Sequence, residues 1–278
     1  VTLLSIHWRG LGISVLYREF KLQNGEPMDI IEIEEMNIRG AYVIDGFPSV
    51  GLVGSIVANY LANALELRQI AVVDSEYFPT VSTIRRGIPH SPVRVYGGEF
   101  DEGERIVVFV SEFQPPPNML KVLGMTIMDW VEDHKCHLVI SPEGISNKQS
   151  GRLPQDEHYE VLGVGSTPEA REMLKDREVS IFEGGVIVGL SGVLLNEGVN
   201  RAFDVITLLA DASPDIPDAR AAAAEAAVIN RMILHDRLDL QPLLEEAEKI
   251  EEGLKDIYDK AGREQEIRNT SALPTMYG

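Results

Sequence analysis

The chain has 278 residues, 44% of them hydrophobic, and a formal net charge of −19. That is enough apolar material for a sizeable core and too much negative charge for non-specific adhesion to nucleic acid phosphates. No run approaches the roughly 18 to 20 uninterrupted apolar residues of a membrane-spanning helix, and the single cysteine, Cys136, leaves no pair for an intramolecular disulfide, which suits a reducing, cytoplasmic setting.

Residues 1–27 carry Trp8 but no clear period, and two readings stand for them: a native N-terminal extension, or a start assigned too early, with Met28 as initiator and Val1 a GTG codon translated literally. They lack the apolar run and cleavage site of a convincing signal peptide. Strand-like Ile30-Ile31-Glu32-Ile33 follows Met28. Residues 41–45 form a short apolar run that turns at Asp45-Gly46, Ser49 opens a helical period over 50–67, and 70–73 reads as a buried strand closed by Asp74. This succession predicts a parallel βαβ unit.

Residues 78–92 read as irregular around Pro79, Gly87 and Pro89. A strand at 93–96, a turn at Gly97-Gly98 and a strand at 106–110 predict a hairpin or meander. Beyond Pro115-Pro116-Pro117, the residues Leu120, Leu123, Ile127, Met128 and Val131 line one face of a helix over 119–132. Residues 137–140 read as a buried strand ended by Ser141-Pro142-Glu143-Gly144, and 159–164 as the next strand. A helix over 167–175 has Thr167 as N-cap and Pro168 in its first position, and 179–182 is again strand-like. A Gly-rich lead-in to a buried helix over 184–200 and a last strand over 202–209 complete the alternation. It predicts an α/β core domain over 28–212 with three layers, a mostly parallel central sheet flanked by helices, followed by a C-terminal helical extension.

In that extension, 213–262, the Ala-rich stretch 219–234 favours helix. From Leu240 on, apolar residues recur at alternating helical steps: Leu243, Ala247, Ile250, Leu254, Ile257 and Ala261, flanked by acidic and basic side chains. Such an a/d stripe packs on another helix, either the chain's own Ala-rich helix in a hairpin or the seam of a second subunit in a coiled-coil-like homo-oligomer. Pro242 suits the start of this helix and Gly262 its end. Residues 263–278 lack an apolar period and read as a flexible tail.

Candidate chemistry concentrates in two loops. Gly46, Pro48, Gly51 and Gly54 mark one strand-to-helix passage, and Gly184, Gly185, Gly189 and Gly192 mark a second. Glycines there admit positive φ and close helix–sheet contact, and they also expose backbone N–H groups to an anion. The spacing matches neither the dinucleotide fingerprint nor a Walker A loop, so packing is the favoured reading of both loops. Asp45, Asp74, Glu112 and Glu143 fall near predicted strand C-termini, where open α/β sheets form ligand crevices and where ordinary turns also sit. Cys136, between His134 and His137, reads as a buried small hydrophobe: adjacent strand positions face opposite ways, and no second cysteine completes a metal site. Ser191 lacks the frame of a nucleophile elbow, and His90 and His158 have no acid partner in the sequence. No catalytic residue, metal or cofactor is expected.

The segment Gly46-Phe47-Pro48-Ser49-Val50-Gly51-Leu52-Val53-Gly54, with Ala58, Tyr60-Leu61 and Asp74-Ser75-Glu76-Tyr77-Phe78-Pro79, resembles the opening of the proteasome assembly chaperone 2 family, specifically its archaeal members. Gly184-Gly185-Val186-Ile187-Val188-Gly189-Leu190-Ser191-Gly192, with Leu194-Leu195-Asn196, resembles that family's second Gly-rich stretch. The resemblance covers about residues 28–209. It implies a three-layer α/β fold, self-association and, in several members, a role in building or capping the proteasome α-ring. The last three residues, Met276-Tyr277-Gly278, resemble the hydrophobic-tyrosine-any (HbYX) tails that proteasome activators and assembly chaperones insert between α-ring subunits. In such docking the terminal carboxylate pairs with a buried cation while the phenol ring fills the socket.

Two functions follow. One is a non-catalytic assembly chaperone or adaptor that oligomerises and docks several tails on the proteasome α-ring. The other is an α/β nucleotide-binding enzyme of ligase type, working at the Gly-rich strand-to-helix loops.

Overall fold

The computed structural model describes residues 3–7, 14–21, 27–75, 77–101, 103–146, 159–214 and 216–245. It opens with three antiparallel strands, β1 (Leu3–His7), β2 (Ser14–Lys21) and β3 (Pro27–Glu32), so residues upstream of Met28 extend the sheet as strands. β4 (Tyr42–Ile44) leads through a 3-10 turn at Val50–Leu52 into α1 (Val53–Ala64) and then β5 (Arg68–Ser75). A small separate hairpin, β6 (Thr83–Arg85) and β7 (Ile88–His90), precedes the long pair β8 (Val93–Asp101) and β9 (Glu104–Ser111). There follow α2 (Leu120–Asp133), β10 (Leu138–Ile145), β11 (Val161–Gly165) and α3 (Pro168–Asp176). The last elements are β12 (Ser180–Ile181), α4 (Leu190–Arg201), β13 (Val205–Asp211) and α5 (Ala219–Ile233).

Eleven strands form one sheet in the order β1-β2-β3-β5-β8-β9-β4-β10-β13-β11-β12. Strands whose apolar runs are continuous, such as Ile106 to Val110 and Leu138 to Ile140, are buried on both faces and occupy the centre. Parallel pairing joins β9, β4, β10 and β13, and again β11 to β12; every other pair is antiparallel, so the sheet is mixed rather than mostly parallel. The expected βαβ unit is split: β5 runs in the same direction as β4, but β8 and β9 stand between them.

Three expected boundaries move. Gly97 and Gly98 lie inside β8 instead of forming a turn; a Cβ on Gly97 would stand 2.9 Å from Ile70 Cδ1 and one on Gly98 2.7 Å from Leu67 Cδ2, so the glycines admit the neighbouring side chains. The reversal comes later, beside Gly103 at φ +97°. β10 continues through Ser141-Pro142-Glu143-Gly144, where its end was expected, because β13 pairs with it along that whole stretch. The final strand begins at Val205 rather than Ala202, whose φ of 52° ends α4.

The faces of the sheet divide the core. On one, Val43, Val107, Phe109, Val139 and Val205 meet Leu123, Ile127, Trp130 and Leu194 of α2 and α4. The other carries Ile44, Ile106, Val108, Ile140 and Leu208, which meet Val57 and Leu61 of α1, Leu174 of α3 and Ile229 of α5. The predicted stripe on α2 is buried at Leu123, Ile127, Met128 and Val131. α4 lies close on α2 because Gly124 has no side chain; a Cβ there would meet Val193 Cγ1 at 2.6 Å. Arg201 of α4 adds bonds to Asp129 (2.6 Å) and Glu132 (2.7 Å) on α2. Thr167 caps α3 by accepting the Ala170 N–H at 3.0 Å, and Asp218 caps α5 by accepting that of Ala221 at 2.9 Å.

After α5, residues 241–245 form a helical turn that seats Leu243 on Ala223 and Ala226, with Ile56 and Tyr60 alongside. The first seam position thus packs within the chain. Ala247, Ile250, Leu254, Ile257 and Ala261, and the tail residues Met276, Tyr277 and Gly278, lie outside the described residues. No helix among the described residues is long and apolar enough to cross a membrane.

Candidate functional site

The C-terminal ends of the parallel strands gather the two Gly-rich loops and a set of buried polar groups. Asp45, directly after β4, is 5% exposed. Its Oδ1 accepts the Phe47 N–H at 3.1 Å, which turns the chain, and its Oδ2 accepts the Ser141 hydroxyl of β10 at 2.7 Å. Burial pushes the Asp45 carboxyl up to about 6, against the opposing effect of these two donors. Thr207 of β13 stands beside Ser141 in the register, fully buried, with its hydroxyl oxygen unpartnered.

The first loop, 46–54, is pinned. Ser49 Oγ accepts the N–H of Gly54 at the start of α1 (3.1 Å) and that of Gly144 in β10 (3.3 Å), so one hydroxyl ties helix to strand. A Cβ on Gly46 would fall 2.1 Å from both Ala58 Cβ and the Phe109 carbonyl oxygen; one on Gly54 would fall 2.7 Å from the Phe47 oxygen and 2.8 Å from the Pro142 oxygen. Gly51 has φ 62°, and Leu52 follows at φ 55°, a left-handed conformation that costs a non-glycine residue about 1 kcal/mol, and it turns its side chain outward. Pro48 lies in this loop, between Asp45 and Ser49.

The second loop, 184–189, is open. A Cβ added at Gly184 or Gly189 (φ +90°) would have nothing within 4 Å, whereas Gly185 packs on the Phe182 ring and Gly192 on the Ile187 carbonyl. Val186 is 85% exposed and Val188 76%. This loop feeds α4, whose Ser191 donates its hydroxyl to the Glu143 carboxyl at the end of β10. Burial pushes Glu143 up to about 8, with the neighbouring Asp45 charge adding to the rise. From α5 comes Glu225, fully buried and held well above the usual carboxylate range by burial first and by Glu143 second. Its carboxyl approaches the backbone of Glu143 and Ala210, yet neither oxygen makes a well-formed hydrogen bond.

The remaining sequence candidates do not converge here on a reactive set. Glu112 is engaged by Arg94, which is fully buried, and by Arg85 at 2.9 Å. Asp74 accepts the Ser75 N–H at 2.9 Å at the end of β5. Cys136 is buried ahead of β10, its thiol pushed up to about 12 by burial, while His134 bonds to the Trp130 carbonyl and pairs with Glu32. His137 meets the Tyr42 ring edge-on and His158 lies outside the described residues. Among the described residues no cluster of three His, Cys, Asp or Glu side chains is arranged to hold a metal ion. Two polar participants were missed in the sequence: Glu225, a single charge inside Ala221 to Ala227, and Ser191, set aside for lacking a nucleophile frame. An acidic residue flanked on both sides by alanines, one helical turn from Ile229, was the available signal for the first.

This edge is acidic inside and apolar outside. The N-termini of α1 and α4 already face Ser49 and the Glu143 carboxyl, and Asp45 and Glu225 are buried rather than presented to a ligand, so the geometry does not favour nucleotide binding. Exposed aliphatic side chains on short loops suit a protein contact.

Relatives share this architecture. PbaA of Pyrococcus furiosus, an archaeal homolog of proteasome-assembly chaperone, has a TM-score of 0.74 and 32% identity, covering 89% of this chain and 100% of that one. PbaB of the same organism, an archaeal proteasome activator, shares the fold at TM-score 0.70 and 24% identity, covering 83% and 98%. An uncharacterized protein of Methanocaldococcus jannaschii is 29% identical over 235 residues, which is 84% of this chain and 92% of the relative. The PAC2 family model matches residues 43–258, a span that includes both Gly-rich loops and the carboxyls of Asp45, Glu143 and Glu225, and the chain belongs to the PAC2 family.

Proposed function

We propose that this chain is a non-catalytic proteasome assembly chaperone or adaptor of the cytoplasm, which self-associates and docks its C-terminal tails on the proteasome α-ring. The observation that carries this reading is the likeness to PbaA, an archaeal homolog of proteasome-assembly chaperone, at 32% identity over 89% of the chain. The tail Met276-Tyr277-Gly278 supplies an apolar anchor, a phenol and a terminal carboxylate in the order that suits a socket between ring subunits. Sixteen residues, 263–278, reach up to roughly 50 Å when extended. The stripe Ala247, Ile250, Leu254, Ile257 and Ala261 offers a seam for gathering copies. Once one tail of an oligomer is bound, the others compete at high local concentration, so individually weak tails give strong avidity.

The test is binding of the full chain to immobilised α-rings, with and without residues 276–278. Deletion is expected to abolish retention, Tyr277→Ala and a residue added after Gly278 to weaken it about tenfold or more, and Tyr277→Phe to weaken it less. Undiminished binding of the deleted chain sinks tail docking.

A further inference from the structure

Val199 excepted, the exposed large hydrophobic side chains of the described residues stand on one edge of the sheet, the edge at which β4, β5 and β10 end. Most fall in two groups. Val81, Ile84 and Ile88 belong to the segment carrying the β6–β7 hairpin, and Val186 and Val188 to the lead-in to α4.

The hairpin is a small arm that pairs with no strand of the main sheet. Its tip is Arg86-Gly87, with the two positive φ values, 51° and 79°, of a tight hairpin turn. Arg85 ties it to the body by donating to Glu112 at 2.9 Å and to Asn59 of α1 at 3.4 Å. Ile84 points to the other face and is 62% exposed; Ile88 is 58% exposed. A two-stranded hairpin is marginal in water by itself, and isoleucines left in solvent add nothing to its stability. Arg86 is exposed and pairs with no carboxylate among the described residues.

The second group has the opposite charge. Asp176 and Glu178 precede β12 and Glu183 follows it, all exposed and none paired with a cation among the described residues. Basic neighbours are occupied, Lys175 by Glu172 at 3.3 Å and Arg177 by the Arg231 carbonyl at 2.8 Å. The two groups cannot meet within one chain. Glu112, which anchors the arm, directly follows β9, and β9 and β12 are five strand positions apart, roughly 24 Å.

We propose that the arm of one copy seats on the α4 lead-in of the next, with Ile84 and Ile88 covering Val186 and Val188 while Arg86 faces Glu183. Charge selects a second copy as the partner: a chain of net charge −19 repels its own kind except where a cationic tip meets an acidic patch. Because the two patches differ, the contact is head-to-tail, and each copy offers one arm and one seat, so association proceeds to a closed ring or an open filament. The inference rests on the self-association in the proposed function and gives it an interface separate from the 247–261 stripe and from the tail.

Sedimentation of the full chain tests it. Arg86→Glu and Glu183→Arg are each expected to weaken association roughly tenfold, and the double variant, which exchanges the two charges, to recover most of the loss. Ile84→Ser with Ile88→Ser is expected to weaken it roughly tenfold or more. A double exchange no better than its single variants overturns the seating and leaves self-association standing; a monomeric wild type overturns both. Should the stripe hold copies together in every variant, crosslinking decides. With Arg86→Cys and Glu183→Cys in one chain, and Cys136 buried, a short bis-maleimide is expected to give covalent dimers and larger species that neither single variant gives. No linked species in that chain, or linking through Arg86→Cys alone, overturns the proposal.

Discussion

The two Gly-rich loops have similar compositions and opposite mechanics. Around 46–54 the glycines are required by what lies against them: backbone oxygens of Phe47, Phe109 and Pro142 occupy the space a side chain would need. Around 184–189 the glycines at either end touch nothing, and what they permit is a conformation, φ +90° at Gly189, that presents two valines to solvent. Glycine thus marks a clamp in one place and a display in the other. A clamp fixes helix α1 on the sheet; a display leaves a surface free for a partner.

The largest expected effect comes from filling the clamp. Gly46→Ala sets a methyl 2.1 Å from a backbone oxygen of β9 and from Ala58 of α1, neither of which rotates away, so strand and helix must separate. A loss of about 3 kcal/mol or more in urea unfolding is expected. Gly54→Ala, at 2.7 and 2.8 Å from two backbone oxygens, is expected to cost somewhat less. A Gly46→Ala chain with an unshifted unfolding midpoint would erase the distinction between the loops.

The second effect separates the loops by titration. Asp45, held by the first loop, rises from 3.8 to about 6, and Glu143, linked to the second, rises from 4.5 to about 8. A carboxyl raised on folding binds more protons in the folded than in the unfolded state between its two values, so stability is greatest below the unfolded value and declines as pH rises through the folded one. Melting temperature is therefore expected to fall from about pH 4 through about pH 8, with Glu225, also held above its ordinary value, adding to the decline. Asp45→Asn should flatten the decline below about pH 6, and Glu143→Gln the part up to about pH 8. A wild-type melting curve that rises across this range contradicts both assignments.

Helical faces were legible because their period is local. The stripe on α2 and the Thr167-Pro168 start of α3 follow from residues within a few turns of each other. Strand order was not, because β8 and β9 are inserted between β5 and β4 by pairings that no short window contains. Gly97-Gly98 carries a strong local turn signal, yet the side chains of Leu67 and Ile70, about thirty residues earlier, decide its role. The same limit hides the acid cluster. Ser191 and Glu143 are 48 residues apart, and Glu225 joins them from a helix whose alanines read as ordinary helix propensity. The packing reading of the glycines describes Gly46 and Gly54 well and leaves Gly184 and Gly189 unaccounted for, since crowding and openness look alike in a string of letters.

Smaller effects probe the display. Gly189→Ala forces a side chain into φ +90° without any clash, and strain alone should cost about 1 to 2 kcal/mol; Gly184→Ala, with open space and no positive φ, should stay within about 0.5 kcal/mol. Equal losses for the two would mean that the positive φ at Gly189 does not set its cost.

The smallest change in stability belongs to the double variant Val186→Ser, Val188→Ser. Both side chains already face water at 85% and 76% exposure, so folding gains little from them and the melting temperature should move by no more than about 0.5 kcal/mol allows. Their apolar area matters only where something covers it. Sedimentation of the full chain, and its binding to α-rings, should therefore separate from its stability: weaker association with unchanged melting identifies the loop as a contact, because removing exposed apolar area leaves the folded chain intact while depriving a partner of burial. Unchanged association assigns the valines no part in it, and the contrast between the loops then reduces to glycine geometry alone.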